Sequence, residues 1–213
     1  MFRKLLVAVI LVLPAAVVVS QEVPLQFNWA FVKRAPNGFP RAIDFSEKLA
    51  ISSGDLFKIC IQPVKNAYVY LFLHDAGGDL QLLFPGRFED FDSRTYSSAP
   101  AFIPAGDNWF TLDSTRGTER FYLFASSTRL SSLESLTIAY LKTAQGKNSG
   151  DAERQAVLDE MARLRKAHSQ LTTAAEKPVM IAGGTRGADE ATAKLATQIT
   201  ASSFYTKTFR LPH

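Results

Sequence analysis

Carboxylates are the side chains of this 213-residue chain best placed for chemistry. Glu119 follows the turn at Gly117 and opens an apolar segment, and Asp55 and Asp113 stand beside turns of their own. Two carboxyl groups held about 5–10 Å apart can work as acid and nucleophile or as acid and base. Glu119 with Asp55 or Asp113 therefore defines one reading, a carboxylate-dependent hydrolase. Nothing in the sequence sets that separation, and a Glu after a turn also serves to accept turn N–H groups or to pair with Arg. The structural role is the expectation for Glu119.

Other catalytic sets are incomplete. Only His74, His168 and His213 could act as a base, and no Gly-x-Ser-x-Gly elbow occurs, so the histidines are read as surface or packing residues. The single Cys60 excludes a cysteine zinc cage and an intrachain disulfide, and it is expected as a small buried hydrophobe. Glu89, Asp90 and Asp92, with Arg87 and Arg94, lack the spacing of a calcium loop and read as a solvated cluster. Val179 to Gly187 looks like the opening of a dinucleotide fold, but the third glycine is missing and 26 residues follow Gly187, too few for the rest of that fold. No cofactor and no metal are expected. Trp109 beside Phe110 is either a ligand platform or part of a β-rich core.

The elements that must position these residues are marked by aromatics. Thirteen of the sixteen Phe lie between Phe27 and Phe124, whereas Leu141 to Ser203 contains no Phe, Tyr or Trp. Strands are predicted at Phe27–Val32, Leu56–Ile61, Ala67–His74, Leu80–Phe84, Asn108–Leu112 and Arg120–Ser126, with Gly-containing turns between them. In Tyr68–Leu73 and Phe121–Ala125 successive side chains are all apolar, so both faces of those strands need cover. Helices are predicted at 130–143, and at 151–172 on the stripe Val157, Met161, Leu164, His168 and Leu171. The second helix has one apolar side, for the sandwich or for a partner. A short apolar run at Val179–Ala182 and a short helix at Asp189–Leu195 precede an extended C-terminal segment. The expected fold is α+β but mainly β: an antiparallel sandwich covered by one to three helices from the C-terminal half. Its parts are a core at 21–141, a helical extension or insertion at 142–200 and a returning strand at 201–213.

Arg3 and Lys4 precede fifteen apolar residues, Leu5–Val19, and a polar turn at Gln21, which predicts a cleaved signal peptide at 1–20. The apolar stretch is short for a membrane span, which needs about 20 residues. Removal would leave 193 residues with a net charge of +2, and the bases are scattered, so no nucleic-acid partner is expected.

Ser53-Gly54-Asp55, Tyr68-Val69-Tyr70, Gly78, Leu83-Phe84-Pro85, Ile103-Pro104, Trp109 with Leu112-Asp113, Gly117-Thr118-Glu119 and Ala125-Ser126 occur in an order that resembles a bacterial domain of unknown function, family 4384, over roughly residues 50–137. The resemblance implies a bacterial protein that is exported or associated with the envelope. Similar domains in longer proteins accompany signalling or caspase-like protease modules, which implies an accessory binding role and supplies no catalytic residues. The resulting expectation is a non-enzymatic periplasmic or secreted module that binds an envelope protein or cell-wall component. Asp55, Trp109 and Glu119 are its candidate binding residues. The alternative is a carboxylate-dependent envelope hydrolase.

Overall fold

The computed structural model describes residues 24–35, 37–38, 40–45, 51–92, 99–112, 116–144, 150–169, 174–179 and 196–212. The expected signal peptide, Arg94, Asp113, Leu171, residues 180–195 and His213 lie outside the described residues.

The strands are β1 (Leu25–Arg34), β2 (Pro40–Ala42), β3 (Leu56–Lys65), β4 (Tyr68–His74), β5 (Leu80–Phe84), β6 (Ala101–Ile103), β7 (Phe110–Thr111), β8 (Thr118–Ser126), β9 (Ala175–Val179), β10 (Ala196–Ala201) and β11 (Phe204–Pro212). Two helices, α1 (Ser131–Ala144) and α2 (Asp151–Ala167), and a 3₁₀ turn at Phe88–Asp92 complete the described elements. The strands form two antiparallel sheets. The first runs β6-β3-β1-β10-β9, with β2 paired to β1 and β7 to β3; the second runs β11-β8-β4-β5.

Alternation along each strand decides what lies between the sheets. Leu25, Phe27, Trp29 and Phe31 of β1 face inward and meet Val69 and Leu71 of β4, Phe121 and Leu123 of β8, and Phe209 and Leu211 of β11. Phe31 meets Phe121 edge-on with ring centroids 5.2 Å apart, a favoured aromatic geometry. This is the expected mainly-β sandwich.

The outer face of the second sheet is also apolar, for a visible reason. Tyr70, Phe72, Phe124 and Phe204 lie beneath Leu133 and Tyr140 of α1 and Val157, Met161 and Leu164 of α2. Helical cover thus explains why Tyr68–Leu73 and Phe121–Ala125 are apolar on both sides. The α2 stripe packs on its own chain: Val157 and Met161 are at most 1% exposed. Each such side chain contributes about 1.5–3 kcal/mol on burial. The helix ends at Ala167, before the predicted 172, and the His168 ring stacks on Phe204 with centroids 3.9 Å apart. His168 is a packing residue, as read from the sequence.

The outer face of the first sheet is different. Asn28 donates to Gln62 at 2.8 Å and accepts from Gln198 at 3.2 Å, so a polar ladder crosses β3, β1 and β10.

Two expectations are corrected. The span 142–200, read as a helical extension, holds α2 and also two strands, β9 and β10. β-branched Thr197, Ile199 and Thr200 carry β10, and Pro178 is tolerated in β9 because, among the described residues, that strand pairs only with β10 at the end of the sheet order. Of the apolar run at Val179–Ala182, Val179 lies among the described residues and belongs to β9, which begins at Ala175. The C-terminal return is accordingly two strands, β10 entering the first sheet beside β1 and β11 the second beside β8.

Candidate binding cleft

The residues singled out from the sequence occupy turns and seams. Asp55 accepts the Ser52 N–H at 2.9 Å through Oδ2, and its backbone O accepts the Leu112 N–H at 3.1 Å. Its side chain closes the turn that starts β3. Glu119 is buried at the start of β8, and Oε1 accepts the Ala76 N–H at 3.4 Å from the β4–β5 hairpin. A Cβ at Gly117 would come within 2.4 Å of the Ala76 Cβ, so only glycine permits the hairpin to dock there. Within that hairpin Gly78 has φ +95°, and Asp75 Oδ1 accepts the Asp79 N–H at 2.8 Å. Gly78, Gly117 and Glu119, all within the motif order described above, thus hold the hairpin to β8. The carboxylates of Asp55 and Glu119 serve different turns.

Trp109 packs against Ala30, Val32 and Cys60 on the outer face of the first sheet, with the Lys58 ammonium 5.2 Å from its ring. Lys58 Nζ also donates to the Gly106 carbonyl. Trp109 therefore helps to cover Cys60, whose thiol pKa is pushed up to about 12 by burial. In the acidic cluster Arg87 pairs with Asp90, and Asp92 pairs with Arg129, both at 3.5 Å. Among the described residues no group of three or more His, Cys, Asp or Glu is placed to hold a metal ion, and no helix is long and apolar enough to cross a membrane.

Two polar centres were not read from the sequence. The first is sealed. Glu134 of α1 is 6% exposed; Tyr70 donates its hydroxyl proton to Oε1 at 2.6 Å, and Arg129 donates to both oxygens at 2.6–3.1 Å. The Tyr70 oxygen in turn accepts the Leu130 N–H at 2.9 Å. The network pins the start of α1 to β4. Hydrogen bonding to Glu134, the largest cause, holds the Arg129 guanidinium above its ordinary pKa.

The second centre opens to solvent. At one side of the sandwich β9 and β11 end the two sheet orders, and each carries a charge in its inward row. Glu176 of β9 pairs across with Ile199, an inward residue, and Lys207 lies between inward Tyr205 and Phe209 of β11. Glu176 accepts from the Tyr205 hydroxyl at 2.9 Å and from Lys207 Nζ at 3.1 and 3.2 Å. The ammonium also stands 5.2 Å from the Trp29 ring and 5.8 Å from that of Phe209. Burial first, then the Glu176 charge and hydrogen bond, raise the Tyr205 pKa well above its ordinary value.

This pair sits in a cleft of about 470 Å³. Trp29, Phe31, Ile43 and Phe45 form its apolar walls, with Ala42, Asp44, Glu176, Thr197 and Lys207 completing the lining. The walls are rigidly interlocked: Phe45 lies 5.1 Å from Phe31 and 4.6 Å from Phe209 between ring centroids. Trp29 Nε1 is buried without a hydrogen-bond partner among the described residues, and such an unpaired donor in a finished core is uncommon. A concave apolar site with a few convergent polar groups is the usual form of a small-ligand site. The signal was present in the sequence: Tyr205, Lys207, Phe209 and Leu211 alternate in a strand, and Lys207 is the one charge in an otherwise inward apolar row.

The molecule is thus a helix-backed, two-sheet β-sandwich with an aromatic-walled cleft between its sheets. Residues 51–129, the part of the chain that contains β3 to β8, match the family model described as a domain of unknown function, DUF4384. Every residue of the cleft lining lies outside 51–129. No curated protein and no solved structure matches the chain.

Proposed function

We propose that this chain is a non-enzymatic binding module, exported after removal of residues 1–20, that holds a component of the bacterial envelope in the cleft between its two sheets. The observation that carries this reading is the cleft itself, a concavity of about 470 Å³ with aromatic walls and a solvent-reached ion pair. The contacts of the other candidates support it: Asp55 and Glu119 accept N–H groups of separate turns, and His168 is stacked on Phe204.

Co-sedimentation of residues 21–213 with isolated bacterial cell walls tests the reading, alongside Ala42→Trp, which fills the cleft from an exposed position. Saturable binding that Ala42→Trp weakens at least tenfold is the expected result. Absence of binding, or binding indifferent to that substitution, overturns it. The competing reading, a carboxylate-dependent envelope hydrolase, predicts soluble wall fragments whose release Glu119→Gln abolishes while binding persists.

A further inference from the structure

The cleft already displays the chemistry it can recognise. Inside it an ammonium, Lys207 Nζ, is held by the Glu176 carboxylate at 3.1 Å and lies against the faces of Trp29 and Phe209. Aromatic faces and carboxylates are the two groups that bind organic cations, and their effect grows where water is partly excluded. Glu176 keeps 41% of its side chain exposed, so its oxygens remain within reach of a further donor. Asp44 has contacts of its own and adds a second carboxylate to the lining, in which Lys207 is the one cation among the described residues. The rest of the lining is uncharged, and most of it is apolar.

We infer that the cleft binds a primary ammonium group on an apolar aliphatic stem, with the stem against Trp29 and Phe45 and the ammonium on Glu176 and Asp44. The inference rests on the binding-module reading and names its ligand class. In this arrangement Lys207 is an internal competitor: its stem and ammonium occupy part of the space and one of the carboxylates that the ligand uses. A free alkyl diamine and the amine side chain of a peptide present the same group, and the two sources differ in the bulk behind the stem.

Isothermal titration of residues 21–213 with pentylamine, 1-pentanol, 1,5-diaminopentane and Nα-acetyl-lysine amide tests it. Pentylamine is expected to bind at least tenfold more tightly than pentanol, and Glu176→Gln or Asp44→Asn to weaken pentylamine at least fivefold without changing pentanol. Lys207→Met, which keeps an apolar stem and removes the internal ammonium, is expected to tighten pentylamine at least fivefold. The acetyl-lysine amide binding more tightly than the diamine would assign the ligand to a peptide, and the reverse order to a free amine. Equal affinity for pentanol and pentylamine, or weaker amine binding in Lys207→Met with the thermal midpoint unchanged, overturns the inference. Should amines bind but cell walls fail to co-sediment, the ligand class stands and the envelope reading falls. Walls that bind in an Ala42-dependent way without amine recognition would keep the envelope reading and overturn the ligand class.

Discussion

Glu134 and Glu176 have the same partners in kind, a tyrosine hydroxyl and a cation, yet they sit in opposite surroundings. Tyr70 and Arg129 hold Glu134 of α1 at 6% exposure, whereas Tyr205 and Lys207 hold Glu176 at the mouth of a cleft. Burial decides what each trio does. A sealed carboxylate has no lone pair to spare for a ligand and becomes costly if one partner leaves. An open one gives less to stability and keeps capacity for an incoming donor. The same three-group design thus anchors a helix on one sheet and leaves a solvent-reached carboxylate at the edge of the other.

Substitutions in the sealed trio should cost the most. Arg129→Ala is expected to destabilise by about 3 kcal/mol, the low end for a broken buried pair because the guanidinium is itself a third exposed. A urea midpoint measures it, and a loss under about 1 kcal/mol would place Glu134 among surface ion pairs. Tyr70→Phe leaves the Glu134 oxygen and the Leu130 N–H each short of a partner and should cost about 2 kcal/mol in the same assay.

Tyr205→Phe, its counterpart at the cleft, should cost about 1 kcal/mol near neutral pH. Its pH dependence separates the two tyrosines further. Tyr205 has a pKa raised in the folded state, so its contribution is fully present below the unfolded value of 10.0 and is lost as pH rises beyond it. Wild-type stability should therefore fall above pH 10, and Tyr205→Phe should flatten that decline in urea midpoints taken at about pH 9 and about pH 11. An unchanged slope would mean that this hydroxyl is no better sheltered than an exposed one. Lys207→Met is the smallest perturbation, within about 1 kcal/mol of wild type by thermal midpoint, since a third-exposed ammonium paired with a half-exposed carboxylate contributes little. A larger loss would make the cleft pair a structural tie like its buried counterpart.

What the sequence made legible was local. The apolar runs at Tyr68–Leu73 and Phe121–Ala125 announced strands buried on both faces, and Val157, Met161 and Leu164 announced the helix stripe that covers them. Cys60 is buried as its apolar context required. The readings went astray where pairing partners are distant or propensity is weak. β9 reads Ala-Glu-Lys-Pro-Val and owes its existence to β10, and β10 sits in a stretch whose alanines and lack of aromatics suggested helix. Asp55 and Glu119 stood out because they are carboxylates beside turns, and holding turns is what they do. Glu176 and Lys207 passed unnoticed because 31 residues separate them and only the fold brings them together.

The placement of β10 bears on how the chain acquires its structure. It pairs Ala201 with Leu25, and Gln26 bonds Thr200 across a separation of 174 residues. Contacts of such sequence distance close the largest loops and put a topology among the slow folders. An emerging chain that has not yet reached Ala196 has β3 along one side of the first half of β1 but lacks β10 for the other, and until Phe204 has followed, β8 lacks its neighbour on one side. Both sheets are thus completed by strands that appear after α2, so that the sandwich closes late, with its long apolar strands in need of protection until then.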